Sequence, residues 1–277
     1  MSKVPSITLN NGIAMPQLGY GVWQVPDDEA ATAVGHALAA GYRSIDTAAI
    51  YGNEEGTGKA LAASGLPRDE LFVTTKLWNS EQGYDATLRA FDSSLAKLGL
   101  EYVDLYLIHW PVPAKDAYVD TYKALEKIYA DGRAKAIGVS NFQPAHLERL
   151  LGETSVVPAV NQIELHPQFQ QAESRAVHAR HGIATEAWSP LGQGRGLLED
   201  PTIAQLAAKH GKTPAQVVLR WHLQIGNVVI PKSVTPSRIA ENIDVFDFTL
   251  DDADLTTLAG LDAGNRLGPD PATFDMA

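Results

Sequence analysis

Cysteine is absent from the 277-residue chain. Its absence excludes disulfide bonds, a thiolate metal site and a cysteine nucleophile, and it is compatible with a reducing cytoplasm. No apolar run approaches the roughly 18 residues of a membrane-spanning helix, and residues 1–5 lack the apolar core of a signal peptide. We therefore expect a cytoplasmic protein without membrane contact and without a metal site, and we expect it to be a monomer.

Positive charge is scarce in this sequence. Lysine and arginine total 22 against 33 aspartates and glutamates, which gives a net charge of −11 at pH 7. This balance argues against nucleic acid and against an anionic membrane surface as partners. An anionic ligand must therefore be bound by a local cluster of donors. The apolar fraction of 45% is ordinary for a globular chain that buries a sizeable core.

The chain has no low-complexity stretch, no flexible linker and no close repeat, so we predict one domain over residues 1–277. Residues 6–17 place apolar flanks around Asn10-Asn11-Gly12, which predicts a β-hairpin. Short β-rich runs then alternate with segments of helical period. The predicted strands are Leu18–Gly19, Arg43–Asp46, Leu71–Lys76, Val103–His109, Ala134–Val139, Ala159–Gln162, Ile183–Trp188 and Val228–Pro231. The predicted helices include Glu29–Ala40, Gly83–Leu98, Tyr118–Ala130, Pro144–Leu151 and Glu173–Arg180.

Eight strand–helix units in a chain of this length predict an α/β fold, a (β/α)8 TIM barrel with an N-terminal β-hairpin and a short C-terminal tail. A doubly wound parallel sheet is the alternative. Several predicted strands are apolar until a polar residue ends them, as at Asp46, Lys76 and His109. Serine or asparagine at such a point could merely mark the exit into solvent. A lysine or histidine there points to the carboxyl end of a barrel, where active sites lie.

Four side chains after the second to fourth predicted strands suggest proton chemistry: Asp46, Tyr51, Lys76 and His109. Phenol titrates near 10 and the lysine amine near 10.4, so neither works at neutral pH without tuning. A cationic lysine lowers the pKa of a neighbouring tyrosine, and an aspartate keeps that lysine charged. Such a group would donate a proton to a carbonyl oxygen. Each of these residue types, taken alone, more often has a structural role than a functional one. Their joint occurrence after consecutive predicted strands shifts the interpretation toward a functional role.

The sequence resembles the aldo-keto reductase family, and within it the short bacterial members such as 2,5-diketo-D-gluconate reductases. The resemblance extends from about Gly19 to Asn242 and rests on motifs in the family's order: GYRSIDTAAIYGNE, TTKLWN, VDLYLIHWP, GVSNF, NQIELHP, WSPLGQG and IPKSV. It implies that Tyr51 is the proton donor and that Lys76 and Asp46 tune it. It also implies that His109 orients the carbonyl of the substrate.

The resemblance further implies that NADPH lies extended across the barrel mouth, although no GxGxxG or P-loop motif is present. Its nicotinamide end is expected to meet Gly21, Val22, Trp23, Asp46, Ser140, Asn141, Gln162 and, by ring stacking, Trp188. The pyrophosphate path is expected along Ser189, Pro190, Leu191, Gly192 and Gln193. The adenine is expected near Glu241 and Asn242. The 2′-phosphate is expected at Lys232, Ser233, Val234 and Arg238, with Arg238 in the first turn of a helix whose amino terminus favours phosphate. The alternative is that Lys232 and Arg238 are solvated surface charges.

The expected substrate is a small-molecule carbonyl, namely an aldehyde, an α-dicarbonyl or a keto-sugar. It would be bound by residues that follow strand tips: Trp23, Tyr51, Trp78, His109 and Trp110. Because the tail after Leu261 is short, we expect the pocket to be open. His166 is interpreted as structural.

Two other functions are considered. One is a cofactor-binding regulatory protein on the same fold with little turnover, which the intact set of four residues disfavours. The other is a barrel glycosidase with Asp46 and Glu186 as its two carboxylates. Lys76 already explains Asp46, which disfavours this second alternative.

Overall fold

Strands and helices alternate through the part of the chain that the structure, a computed structural model, describes, residues 4–276. The strands are β1 (Ser6–Thr8), β2 (Ala14–Pro16), β3 (Tyr20–Gly21), β4 (Ser44–Asp46), β5 (Phe72–Leu77), β6 (Val103–Ile108), β7 (Ala134–Ser140), β8 (Val160–Glu164), β9 (Ala184–Trp188) and β10 (Val228–Val229). The helices are α1 (Asp27–Ala40), α2 (Glu54–Ala63), α3 (Tyr84–Leu98), α4 (Tyr118–Ala130), α5 (Pro144–Glu153), α6 (Ala172–His181), α7 (Pro201–His210), α8 (Pro214–Gln224), α9 (Pro236–Ile243) and α10 (Asp252–Ala259).

The strands β3 to β10 form one parallel sheet in chain order, and its two edges meet. Gly19 N donates to Val229 O at 2.8 Å, and Val229 N donates to Gln17 O at 3.0 Å. Gly21 N donates to Pro231 O at 3.2 Å. These bonds close the sheet into a barrel. The predicted (β/α)8 barrel is confirmed, and the doubly wound alternative, which needs two open edges, is wrong.

The closure of the barrel also explains where predicted strand bounds were wrong. The first strand is Tyr20–Gly21 rather than Leu18–Gly19, and the last is Val228–Val229 rather than Val228–Pro231. Leu18 contributes only an isolated bridge. Single, staggered backbone hydrogen bonds join the first and the last strand. The pattern of apolar residues alone does not show where these bonds lie. The other predicted elements agree with the structure within two residues at each end.

The hairpin of β1 and β2 closes the amino end of the barrel. Its antiparallel register pairs Ile7 with Met15, which confirms the predicted hairpin. Leu9 and Met15 are buried against side chains from the amino ends of the barrel strands, among them Phe72 and Val228. Because this end is filled with apolar side chains, the opposite end is left for the polar residues that follow the strands.

The helices cover the outside of the barrel with their apolar faces. In α3, Phe91, Leu95 and Leu98 are buried at the spacing of one helical face, and they share a cluster with Tyr106 of β6. The helix ends at Gly99, whose φ of 65° is one that glycine adopts without strain. Among residues 4–276, no helix combines the length and the apolarity needed to cross a lipid bilayer.

Candidate active site

The four residues predicted for proton chemistry meet at the carboxyl ends of β4, β5 and β6. Lys76 Nζ donates to Asp46 Oδ1 at 2.6 Å and to Thr47 O at 3.0 Å. It also lies 5.1 Å from the centre of the Tyr51 ring, which ends the turn after β4. The His109 ring lies 5.7 Å from the Tyr51 ring. Lys76 and Asp46 are almost fully removed from solvent, so the ion pair is strengthened by its low-dielectric surroundings.

The electrostatics of the site combine burial with the charges around Tyr51. Burial raises the pKa of Tyr51, Lys76 lowers it, and Asp46 raises it again, so the net pKa lies above the ordinary tyrosine value. The effect of Lys76 has the predicted direction, but desolvation of the phenolate outweighs the attraction of the ammonium group. Burial alone would lower the pKa of Lys76, but Asp46 leaves it above its usual value. At neutral pH the lysine is therefore charged and the tyrosine is protonated.

His109 lies at the centre of the predicted substrate wall. Burial, with a smaller contribution from Lys76, lowers its pKa well below the usual value, so its ring is neutral at physiological pH. Its Nδ1 is buried and makes no hydrogen bond with the described residues. The Trp78 ring lies 5.3 Å from the His109 ring, and the Trp110 ring stacks at 6.4 Å. Trp23, 43% exposed, is at the surface.

Asn53 was not predicted as part of the site, yet it holds the loop after β3 in place. Its Nδ2 donates to Val22 O at 2.9 Å and to Val25 O at 2.8 Å, and its Oδ1 accepts the Thr47 hydroxyl at 2.7 Å. The loop that carries Trp23 is thereby tied to the turn after Asp46. The Val22 side chain is buried in the core, so only its backbone is available for the predicted cofactor contact.

Three of the residues predicted to meet the nicotinamide end, Ser140, Asn141 and Trp188, form one hydrogen-bonded cluster. Asn141 Nδ2 donates to Ser140 Oγ at 3.1 Å and to His109 O at 3.0 Å. Trp188 Nε1 donates to Asn141 Oδ1 at 2.8 Å. Asn141, with a φ of 63°, leaves β7 in the left-handed region, a strain that clusters at functional sites. This geometry fits an amide ligand, because the Asn141 oxygen keeps a free lone pair for a donor.

Gln162 connects this cluster to the ion pair. Its Nε2 donates to Asp46 Oδ2 at 2.9 Å and to Glu186 Oε2 at 2.8 Å. Two carboxylates that share one amide nitrogen inside the barrel do not flank a cleft for a sugar. The geometry therefore removes the support for the glycosidase alternative.

The predicted pyrophosphate and phosphate segments lie on the other side of the barrel mouth. Gln193 Nε2 donates to Ser189 Oγ at 2.8 Å within a turn after β9. Arg238 lies in the first turn of α9, as predicted, and Lys232 precedes that helix. Both side chains are exposed, and neither forms an ion pair with residues 4–276. Ser233 Oγ accepts the Thr235 N–H at 3.1 Å.

Three residues predicted for the cofactor, Glu241, Asn242 and Gly192, are bonded or packed within the protein itself. Glu241 Oε1 accepts the Thr213 hydroxyl at 2.7 Å, next to the start of α8. Asn242 is buried within α9. Gly192 is buried in its turn, where a Cβ would come within 2.7 Å of Leu197. The roles of these residues in cofactor binding stay predictions.

The tail after Leu261 is bonded to residues that follow the barrel strands, and the expected openness of the pocket stays a prediction. Glu164 accepts the backbone N–H groups of Leu267 at 2.6 Å and Gly268 at 2.8 Å, and the His166 ring at 3.1 Å. Phe274 packs on Trp110 with ring centres 4.4 Å apart. Sequence length alone did not reveal these contacts. The structural interpretation of His166 agrees with its bond to Glu164.

Comparisons with known proteins find aldo-keto reductases that match nearly the whole chain. An aldo-keto reductase of Mycolicibacterium smegmatis is 62% identical over 272 residues, which are 98% of each chain. The methylglyoxal reductase DkgA of Escherichia coli is 56% identical over 275 residues, 99% of each chain. The sequence profile of the Aldo/keto reductase family matches residues 9–263.

Solved structures share the fold closely. The crystal structure of an aldo/keto reductase from Brucella melitensis is 61% identical, with a TM-score of 0.92 over 95% of this chain and 99% of the other. A mutant of Gox0644 in complex with NADPH is 53% identical, with a TM-score of 0.95 over 99% of each chain. With this profile match and these relatives, the chain belongs to the aldo/keto reductase family.

Proposed function

We propose that the protein reduces aldehydes and ketones to alcohols with NADPH. The observation that carries the proposal is the buried Lys76–Asp46 ion pair beneath Tyr51 and His109 at the barrel mouth. The neighbouring cluster of Asn141 and its partners offers polar atoms for an amide. Relatives at 53–56% identity include methylglyoxal reductases and a protein crystallised with NADPH.

In this proposal, bound NADPH supplies the hydride, and the residues of the chain manage the proton and the position of the substrate. Tyr51 is protonated at neutral pH and donates its proton to the carbonyl oxygen. The Lys76 ammonium group stabilises the phenolate that remains, and Asp46 keeps that ammonium charged. His109 is neutral, so it can donate one ring N–H to the same oxygen without adding a second charge.

We propose that cofactor binding uses the residues predicted around the barrel mouth. Ser140, Asn141 and Gln162 would hold the carboxamide, and Trp188 would stack on the nicotinamide ring. The two exposed cations near α9, Lys232 and Arg238, carry no partner among the described residues, which suits a site for a free 2′-phosphate.

The substrate wall favours compact carbonyls. The rings of Trp78 and Trp110 lie beside His109, and Phe274 of the tail packs on Trp110. We therefore propose α-dicarbonyls and small aldehydes as better substrates than keto-sugars. A panel of these three classes, followed as NADPH consumption, tests the order. Faster turnover of keto-sugars would contradict it.

The same panel separates an enzyme from a cofactor-binding regulatory protein. We expect turnover of at least one simple aldehyde or α-dicarbonyl at a rate typical of enzymes, about 1–10³ per second. NADPH binding without turnover of any panel member would support the regulatory alternative and reject the proposal.

We further propose that the chain works as one domain over residues 1–277, as a monomer in the cytoplasm. The absence of cysteine is compatible with that reducing compartment. Light scattering of the purified protein tests the monomer, and a mass of two or more chains would contradict it.

A further inference from the structure

Gln162 is bonded to two carboxylates through a single nitrogen atom. Parallel pairing of β8 with β9 sets Gln162 directly beside Glu186. The amide nitrogen uses both of its hydrogens, one toward Asp46 Oδ2 at 2.9 Å and one toward Glu186 Oε2 at 2.8 Å. The amide oxygen accepts no hydrogen bond from residues 4–276. The orientation of this amide is therefore fixed by its two acceptors.

The two carboxylates differ in their charge partners. Asp46 is paired with Lys76, whereas Glu186 forms no salt bridge with the described residues. Glu186 is fully buried, and its second oxygen, Oε1, has no hydrogen-bond partner among them. Burial, and then the charge of Asp46, raise the pKa of Glu186 to about 8. A carboxyl group in these surroundings is protonated at neutral pH, because burial and the charge of Asp46 outweigh the attraction of Lys76.

We propose that Glu186 is a positioning residue that, together with Asp46, fixes the Gln162 amide so that its oxygen is free for the carboxamide N–H of the cofactor. The proposal rests on the proposed function, since it concerns the nicotinamide end of NADPH. It assigns a role to a buried acidic residue that the proton chemistry of Tyr51 does not use. Loss of the Glu186 acceptor would leave one N–H of Gln162 unpaired and would let the amide rotate.

The groups that surround Glu186 support this arrangement. The titratable side chains that influence it come from β4, β5 and the turn after β4: Asp46, Lys76 and Tyr51. On β10, the residue paired with Glu186 is the apolar Val228. On α6, His178 bonds to Thr185 and Asn161 instead of Glu186. The only acceptor role left for Glu186 among the described contacts is therefore toward Gln162.

The first experiment measures binding of two ligands to the cofactor-free protein by fluorescence. NADPH carries the nicotinamide end, whereas adenosine 2′,5′-bisphosphate carries only the adenosine half with its 2′-phosphate. Glu186→Leu removes the acceptor, and we expect it to weaken NADPH binding about 2- to 10-fold. Binding of adenosine 2′,5′-bisphosphate should stay unchanged, which global damage to the fold would not allow.

Glu186→Gln provides the rescue. A glutamine keeps an acceptor oxygen for Gln162 on an uncharged side chain, as a protonated glutamate does, so we expect NADPH affinity near that of the unmodified protein. Glu54→Gln is the matched control, because Glu54 is also buried but, among residues 4–276, accepts a side-chain hydrogen bond only from Thr75. It should change neither ligand. Equal NADPH affinity in Glu186→Leu and the unmodified protein would overturn the proposal. If Glu186→Leu does not fold, Glu186→Ala replaces it with the same criterion.

The second experiment follows the proton on Glu186 through thermal unfolding of the cofactor-free protein. A carboxyl group whose folded pKa is raised gives stability that is full below its unfolded pKa of about 4.3 and is lost as pH rises through about 8. We therefore expect the melting temperature of the unmodified protein to fall relative to Glu186→Gln over that window. Other buried groups such as His178 and His222 are common to both proteins, so they cancel in the difference. A constant difference across the window would show that Glu186 is ionised at neutral pH and would overturn its assigned state.

These outcomes are distinguishable from failure of the proposed function. If the unmodified protein bound no NADPH, the proposed function would fail before any variant was compared. If it bound NADPH and Glu186→Leu bound it equally well, only the role of Glu186 would fail.

Discussion

The two sides of the barrel mouth use charge in opposite ways. At the ends of β4 and β5, Lys76 and Asp46 are buried and bonded to each other at 2.6 Å. Near α9, Lys232 and Arg238 are exposed and form no ion pair with the described residues. A charge that tunes a proton donor must be desolvated and held in place, because its effect depends on a low dielectric. A charge that binds an anion from solution must stay free until the anion arrives.

This difference leads to separate effects for substitutions on the two sides. Changes to Tyr51 and Lys76 on the buried side should alter turnover or stability with little effect on cofactor affinity. Changes on the exposed side should alter cofactor affinity with little effect on stability. The predictions below test this separation.

The largest effect is expected for Tyr51→Phe. Removal of the hydroxyl removes the proton donor, and a general acid is worth about 10²–10⁴-fold in rate. NADPH affinity should hardly change, because no other predicted cofactor contact is altered. Single-turnover kinetics and a binding titration measure the two quantities. Tyr84→Phe, at an exposed position on α3, is the matched control. Retention of more than about a tenth of the rate would remove Tyr51 from this role.

Lys76→Met should combine a loss of turnover with a loss of stability. It leaves Asp46 buried without its cation, and breaking a buried ion pair costs about 3–5 kcal/mol in the free energy of unfolding. Loss of the ammonium charge should also raise the pKa of Tyr51 further, which a pH titration of the phenol detects.

The control for this substitution is Lys127→Met, which breaks an exposed ion pair with Asp131 on α4. We expect that variant to lose at most about 1 kcal/mol. Equal costs for the two lysines would contradict the claim that burial distinguishes the two sides of the mouth.

Arg238→Ala tests the exposed side. The 2′-phosphate distinguishes NADPH from NADH, and a charged hydrogen bond to it is worth about 1.5–3 kcal/mol. We therefore expect NADPH affinity to fall roughly 10- to 150-fold while NADH affinity and melting temperature stay nearly the same. Arg180→Ala, at another exposed arginine without a described ion pair, should change neither. Equal weakening of both cofactors would mean that Arg238 does not contact the phosphate.

The sequence predicts most of this site because its signals are local. Asp46, Lys76 and His109 each end an apolar strand, and parallel strands bring such ends together. Contacts that depend on closure of the barrel are not visible in the same way. The bond between Gln162 and Asp46 spans 116 residues, and it depends on the register of strands far apart in the chain. The net pKa of Tyr51 likewise depends on burial, which the spacing of residues in the sequence does not give.

The C-terminal tail also depends on contacts between distant residues that the sequence does not reveal. A substitution that loosens the tail has the smallest effect among these predictions. Burial would raise the pKa of Glu164, but hydrogen bonds from His166 and from the backbone of Leu267 and Gly268 lower it. Glu164 thus contributes stability above its ordinary pKa, and that contribution is lost as pH falls through the lowered value.

Glu164→Ala removes this anchor of the tail at every pH, so we expect faster hydrogen exchange in the tail. Because Phe274 would then be less firmly placed on Trp110, KM for small carbonyls should rise about 2- to 10-fold with little change in kcat. Glu153→Ala is the control, because this exposed glutamate forms its one ion pair within the described part of the chain with Arg149. Unchanged exchange in the tail would mean that other contacts, such as the bond from Asn79 to Met276 O at 2.8 Å, are enough to hold it.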